Sequence, residues 1–188
     1  MSTIKTTLTK NKAVVRFLLV FFGTYALLAA IYHLYLYVSV PSALYYPDFI
    51  THIVALQSEE LIGFFGYDSF IFPSNLYTDE APLSMRIGID GKTIVQVVEG
   101  CNAVSVIILF LSFILAFYSG LKKTLLYILA GATIIYSLNV LRIALLTIGI
   151  FHYPSYTEFM HGTLFPLFIY GVVFLLWVIW VKNYEVKK

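Results

Sequence analysis

The sequence predicts an all-α polytopic membrane protein, a bundle of about four transmembrane helices with an extracytoplasmic segment between spans one and two. Composition is the first indication, because 60% of the 188 residues are hydrophobic and only 12% are charged, unlike a soluble domain. Long apolar stretches separated by polar segments are the second. Lysine and arginine concentrate beside alternate ends of these stretches, which is typical of a chain with a fixed orientation in a membrane.

The spans are predicted from the apolar runs, each close to the ~20 residues that a helix needs to cross a bilayer. They lie at 17–38, 101–119, 124–150 and 163–181, with an extracytoplasmic segment at 39–100, an extracytoplasmic loop at 151–162 and tails at 1–16 and 182–188. The first run is too long for the core of a cleavable signal peptide. Because basic residues mark the cytoplasmic side, we expect both termini in the cytoplasm and a single multi-pass domain in a bacterial inner membrane.

The segment 39–100 carries most of the acidic residues and is expected outside the hydrocarbon. Its first part, Asp48 to Tyr67, mixes apolar and polar residues at helical spacing, which predicts a helix lying in the interface or a lid against the bundle. Its second part places Asp90-Gly91 between two runs rich in β-branched residues. This pattern predicts a β-hairpin that leads the chain to Cys101.

Cys101 is the only cysteine, which excludes an internal disulfide, and it lies where the polar segment meets the second apolar run. A lone cysteine is most often a small buried apolar residue. A cysteine beside a cation at the start of a helix is instead a nucleophile, because both neighbours favour the thiolate. Position alone leaves both interpretations open.

Arg142 lies in the third predicted span, where an ionised side chain costs about 2.5–3.5 kcal/mol on insertion scales. It either pairs structurally, extends to the outer surface or serves a function. Helical side chains lean toward their own N-terminus, here the cytoplasm, which favours function. Asn139 lies on the same helical face and is a potential partner. His161 begins the fourth predicted span, His152 is its rival in the same loop, and either also suits an interfacial position.

Other signals are weaker. Glu99 is expected to be solvated, to orient an imidazole or to bind a cationic group. Gly131 and Ala132 favour close helix packing, although such small residues often only fill space. The chain has no HExxH zinc helix, P-loop or GxSxG elbow, and no basic patch for nucleic acid.

Three motifs in order resemble the exosortase/archaeosortase family, and most closely its short bacterial exosortase F type. They are Glu99-Gly100-Cys101, Asn139-Val140-Leu141-Arg142 and His161-Gly162. The resemblance is clearest over residues 99–181. The family motif is commonly Glu-x-Cys-Ser-Gly, so Asn102 and Ala103 stand where serine and glycine are usual.

The resemblance implies a membrane cysteine protease or transpeptidase that cleaves C-terminal sorting signals of exported proteins at the outer face of the membrane. It implies a thioester on Cys101, stabilisation of thiolate and oxyanion by Arg142, and proton transfer by His161. The supporting residues are Glu99, Asn102, Asn139 and His152. Expected partners are the lipid bilayer and membrane-anchored substrate proteins with a C-terminal motif, transmembrane helix and basic tail, with no nucleic acid and no cofactor.

Two other functions compete with this interpretation. One is a non-catalytic membrane subunit of an export or surface-polymer assembly system, in which Arg142 pairs structurally and Cys101 is inert. The other is a small transporter that binds an anion at Arg142. The transporter is disfavoured because the sequence shows neither an internal repeat nor a pair of broken helices.

Overall fold

The computed structural model describes residues 11–39, 45–74 and 83–185, which are mainly helical. The helices and strands of this part are α1 (Lys12–Val38), α2 (Phe49–Phe64), β1 (Ser69–Pro73), β2 (Met85–Ile89), β3 (Lys92–Val97), α3 (Val104–Ala116), α4 (Leu121–His152) and α5 (Phe165–Glu185). Short turns complete it: 3₁₀ turns at Glu99–Cys101 and Pro154–Tyr156, an α-helical turn at Thr157–Phe159 and a π-helical turn at Met160–Leu164.

Three of the described helical segments are long and apolar enough to cross a membrane: α1, α4 and the helical stretch Pro154–Lys182. The protein is therefore a membrane protein. The predicted span at 101–119 is a shorter helix, α3, of 13 residues. At 1.5 Å per residue it is about 20 Å long, against a hydrocarbon core of about 30 Å.

The membrane helices pack around α3. α1 contacts mainly α3, and none of its residues is buried, as expected of a helix that faces lipid on most sides. α3, α4 and α5 share an apolar core that includes the fully buried side chains of Phe110, Ile135 and Trp180. This core fixes the positions of the three helices relative to one another, including α4, which carries Arg142.

The segment between α1 and α3 contains a three-stranded antiparallel sheet with β2 in the middle. Its β2–β3 hairpin turns at Asp90-Gly91, where both residues have positive φ, 50° and 73°. Asn-Gly and Asp-Gly pairs favour this turn because it requires positive φ at both central residues. The predicted hairpin is present, whereas β1 was missed because Ser69–Pro73 has no apolar alternation and ends in proline.

The predicted helix in the first part of this segment is α2, and it packs as a lid. Asp48 caps it, since its Oδ1 accepts hydrogen bonds from the backbone N–H of Ile50 at 3.0 Å and of Thr51 at 3.1 Å. Its buried face, which includes Val54 and Ile62, packs against α4 and the sheet. The C-terminal half of α4 therefore packs against both α2 and the sheet.

The prediction of a loop at 151–162 is wrong. α4 continues to His152, and after Tyr153 the chain forms three successive helical turns that lead into α5. Pro154 starts the first turn, a position where proline is tolerated because its missing N–H has no helical partner. The stretch has no glycine before Gly162, so no residue of high backbone flexibility interrupts these helical turns.

Gly131 allows α3 and α4 to approach, because a methyl group there would overlap the buried ring of Phe110. We expect Gly131→Ala to lower the free energy of unfolding by about 1–3 kcal/mol through overpacking. The control is Gly23→Ala on α1, where a methyl group would meet nothing within 4 Å and helix propensity improves. Thermal unfolding in one detergent measures both, and equal shifts would contradict close packing at Gly131.

Candidate active site

Cys101 lies in the 3₁₀ turn that joins β3 to α3, and not in α3 itself. The predicted helix start at residue 101 is therefore corrected to Val104. The Cys101 N–H donates to the carbonyl oxygen of Val98 at 2.8 Å, which closes the turn. The cysteine is half-buried at the margin of the core formed by the sheet, α2 and α4.

Asn102 anchors this turn to three helices. Its Nδ2 donates to the Tyr32 hydroxyl at 2.7 Å and to Thr51 Oγ1 at 3.0 Å, on α1 and α2. Its Oδ1 accepts from the N–H of Val104 at 3.1 Å, at the start of α3. The side chain is 1% exposed and both amide protons are used, so the residue after Cys101 is held in one orientation.

Ala103 has a left-handed conformation, with φ at 66°. In an L-residue this conformation costs roughly 1–2 kcal/mol, whereas glycine adopts it freely. The positive φ at this position explains why the Glu-x-Cys-Ser-Gly motif usually has glycine where this chain has Ala103. In this chain the buried methyl group of Ala103 offsets part of the strain.

We expect Ala103→Gly to be close to neutral, because relief of backbone strain offsets the lost methyl burial and the added chain entropy. The matched control is Ala55→Gly, which removes an equally buried methyl group from the interior of α2 and should cost about 1.5–2 kcal/mol. The free energy of unfolding of each variant measures the difference. A comparable loss at both positions would contradict strain at Ala103.

Asn139 connects Cys101 to Arg142. Its Nδ2 donates to the carbonyl oxygen of Cys101 at 2.7 Å, across 38 positions of the sequence. Its Oδ1 accepts from Arg142 Nη1 at 3.3 Å, the contact expected from the helical spacing. One buried amide thus fixes both the backbone of the cysteine and the direction of the guanidinium.

Arg142 is only partly satisfied by this contact. Its Nε is buried and has no hydrogen-bond partner among the described residues. A buried donor without a partner costs about 1–3 kcal/mol, so this N–H favours an incoming oxygen or thiolate.

Cys101, Arg142 and His161 line one cavity of about 230 Å³. Its other walls come from β3, α4 and the turn before α5, and they are mainly apolar: Ile94, Val95, Gln96, Val97, Ile143, Leu146, Ile150 and Thr157. The structure thereby brings together the three residues that the motifs singled out. Sequence reasoning missed the contribution of β3, although the predicted hairpin ran directly into the cysteine.

The two candidate histidines occupy different places. His161 lies on the π-helical turn, exposed, and lines the cavity of Cys101. His152 ends α4, where its Nε2 lies 2.7 Å from the Tyr67 hydroxyl, and it does not line that cavity. π-Helical turns are frequent at functional sites, where the extra residue redirects a side chain. The geometry therefore favours His161 over His152.

Glu99 faces a separate groove between α1 and α3. This groove, of about 200 Å³, is also lined by Tyr32 and His33. Glu99 is exposed and does not line the cavity of Cys101 and His161. The interpretation in which it orients the imidazole of His161 therefore has no support from the structure.

A sequence model of the transmembrane exosortase family (Exosortase_EpsH) matches residues 13–182. The chain belongs to this family. The match runs from α1 into α5, so the similarity to the exosortase family begins well before residue 99, where the motifs begin. Comparisons with curated proteins and with solved structures found no match.

In this exosortase we expect Asn139→Ala to lower the free energy of unfolding by roughly 1–3 kcal/mol, because it leaves the Cys101 carbonyl and an Arg142 N–H without partners. It should also change the alkylation rate of Cys101 by a small maleimide. The control on the same helix is Thr133→Ala, an exposed residue whose loss should stay within about 0.5 kcal/mol. Unchanged stability and alkylation in Asn139→Ala would show that the amide does not hold the site.

Proposed function

We propose that this exosortase is a cysteine peptidase or transpeptidase that cleaves the C-terminal sorting signals of exported proteins. The observation that carries the proposal is the shared cavity of Cys101, Arg142 and His161. A nucleophile, a fixed cation and a proton carrier on one apolar cavity are the groups that acyl transfer requires.

The proposed reaction begins with attack of the Cys101 thiolate on the scissile carbonyl carbon. The carbonyl π electrons move to oxygen, and the Arg142 guanidinium stabilises this oxyanion in a cavity with mainly apolar walls. When the tetrahedral intermediate collapses, the C–N bond breaks and His161 gives a proton to the leaving amine. The thioester on Cys101 is then attacked by water or an amine, which transfers a proton to His161, and the C–S bond breaks to release the Cys101 thiolate.

We place the cavity at the outer face of the bacterial inner membrane. Lysines beside the start of α1, the start of α4 and the end of α5 put these three points in the cytoplasm. The chain must then cross outward in α1, inward through α3, outward in α4 and inward in α5. This orientation requires the short helix α3 to cross the membrane in addition to the three long helical segments, and it implies that both termini lie in the cytoplasm.

The substrate that suits this arrangement is a membrane-anchored protein with a short motif, a transmembrane helix and a basic tail. Its helix lies in the same bilayer, so the peptide bond just before the helix is presented at the level of Cys101. Holding the bond there makes positioning a large part of the rate. The lipid bilayer is thus a partner in the reaction.

The test is to co-express the exosortase with a protein of the same genome that carries such a C-terminal signal, and to measure the mass of that protein. We expect loss of the signal with the wild-type exosortase and none with Cys101→Ala. Arg142→Lys should also fail, because an ammonium does not reproduce the guanidinium fork. His161→Gln should lose at least about a hundredfold in rate, while the matched His152→Gln keeps activity.

Equal loss in both histidine variants would contradict the assigned proton carrier. Unchanged mass with several candidates, despite normal membrane insertion, would favour a non-catalytic subunit of an export or assembly system.

A further inference from the structure

The cavity of Cys101 follows the open edge of β3. In the described sheet β3 pairs with β2 on one side only. Four consecutive residues of β3, from Ile94 to Val97, line the cavity. Because successive side chains of a strand point to opposite faces, a cavity that touches all of them runs along the edge of the strand.

This edge has backbone hydrogen-bonding groups to offer. In an antiparallel pair, one residue of every two directs both its N–H and its C=O away from the partner strand. β3 pairs regularly with β2 at Val95, Gln96 and Val97. No loop or turn hydrogen bond within the described residues reaches the outward groups of this stretch. Such an edge is a template for another strand.

The opposite edge of the sheet does not offer the same template. β1 packs against α2, and Ser69 Oγ donates to the backbone and side chain of Glu59 at 3.1 and 2.8 Å. β1 also ends in Pro73, which has no N–H to donate. A bulge at Ile94 marks β3 instead, and bulges are frequent beside active sites, where they redirect a strand.

We propose that the polypeptide to be cleaved adds to β3 as an extended strand, which rests on the proposed function of the cavity. The residues that precede the scissile bond pair with the edge at Val95 to Val97, and the scissile carbonyl lies at Cys101. The added strand runs parallel to β3. Only in that direction does the substrate continue past Cys101 toward the bilayer that holds its transmembrane helix.

This placement defines a class of ligand. Main-chain hydrogen bonds to β3 supply affinity for any extended peptide, and side chains at alternate positions supply specificity. The wall opposite β3 is apolar, from Ile143, Leu146 and Ile150. The motif is therefore expected to be a short extended segment with apolar side chains at alternate positions, entering the cavity without helical structure.

Proline substitution at two adjacent residues tests the pairing. The N–H groups of Val95 and Gln96 point in opposite directions, because successive residues of a strand alternate. One of the variants Val95→Pro and Gln96→Pro therefore removes a hydrogen bond to β2 and should unfold the sheet. The other removes an N–H of the open edge and should fold. In the variant that folds, we expect Cys101 to react normally with a small maleimide while cleavage falls roughly tenfold or more. The matched pair on the covered edge is Ile71→Pro and Phe72→Pro, whose folded member should cleave as wild type.

Cleavage at the wild-type rate by the folded β3 variant would overturn the proposal and leave the proposed function standing. A selective loss of cleavage in that variant, with normal maleimide reactivity, supports both.

A crosslinking experiment tests the strand pairing directly, without depending on cleavage. The photoreactive residue p-benzoylphenylalanine is placed at Gln96, or at Phe72 as the control, in the full-length Cys101→Ala protein that is co-expressed with the same candidate protein. We expect Gln96 alone to crosslink, and to the residues just before the transmembrane helix of the candidate. If the wild type cleaves nothing, the proposed function fails and this arm alone applies. Absence of the crosslink from Gln96 then overturns the strand addition as well.

Discussion

The hydrogen bond from Asn139 to the carbonyl oxygen of Cys101 is the contact on which the site depends. Cys101 belongs to neither a long helix nor a sheet, so no ladder of backbone hydrogen bonds fixes it. Asn139 on α4 holds the turn through the carbonyl oxygen of Cys101. Asn102, the residue after Cys101, holds it through hydrogen bonds to α1, α2 and the start of α3. Two buried amides therefore replace regular secondary structure at Cys101. Their geometry decides where the thiol lies relative to Arg142.

The buried amides around Cys101 form hydrogen bonds that satisfy their polar atoms. Burial of a polar group without a hydrogen-bond partner costs up to several kcal/mol. Within a buried network, each hydrogen bond is electrostatically stronger than the same bond in water. Asn102, Thr51 and Asn139 all have partners. Arg142 Nε is the one unpaired buried polar atom among the described residues that line the cavity of Cys101; the others, Asp48 Oδ2, Ser84 Oγ, Arg86 Nε and Trp177 Nε1, belong to residues outside it. An unused donor in this cavity is the arrangement expected if the guanidinium stabilises charge in the proposed reaction.

Local signals predicted much of this architecture. Apolar run length indicated the long helices, and Asp90-Gly91 indicated the hairpin, because both depend on residues close in sequence. The structure places Cys101, Arg142 and His161 together as the motifs suggested, although their catalytic roles stay a prediction. The length of α3, strand β1 and the helical turns after Tyr153 depend on packing partners distant in sequence, which periodicity does not reveal. The same holds for the β3 edge and for Thr157 in the cavity wall.

The short α3 and the open β3 edge have a common physical consequence. An α3 of about 20 Å is shorter than the hydrocarbon thickness of about 30 Å, so in the proposed orientation either the bilayer thins around α3 or the turn at Cys101 lies at the hydrocarbon boundary or just inside it. Near that boundary, unpaired backbone groups are costly for both the β3 edge and a substrate segment that leaves water. Pairing the two strands satisfies both sets of groups at once. In the proposed strand addition, proximity to the membrane would therefore strengthen recognition of an extended segment at the position where its transmembrane helix begins.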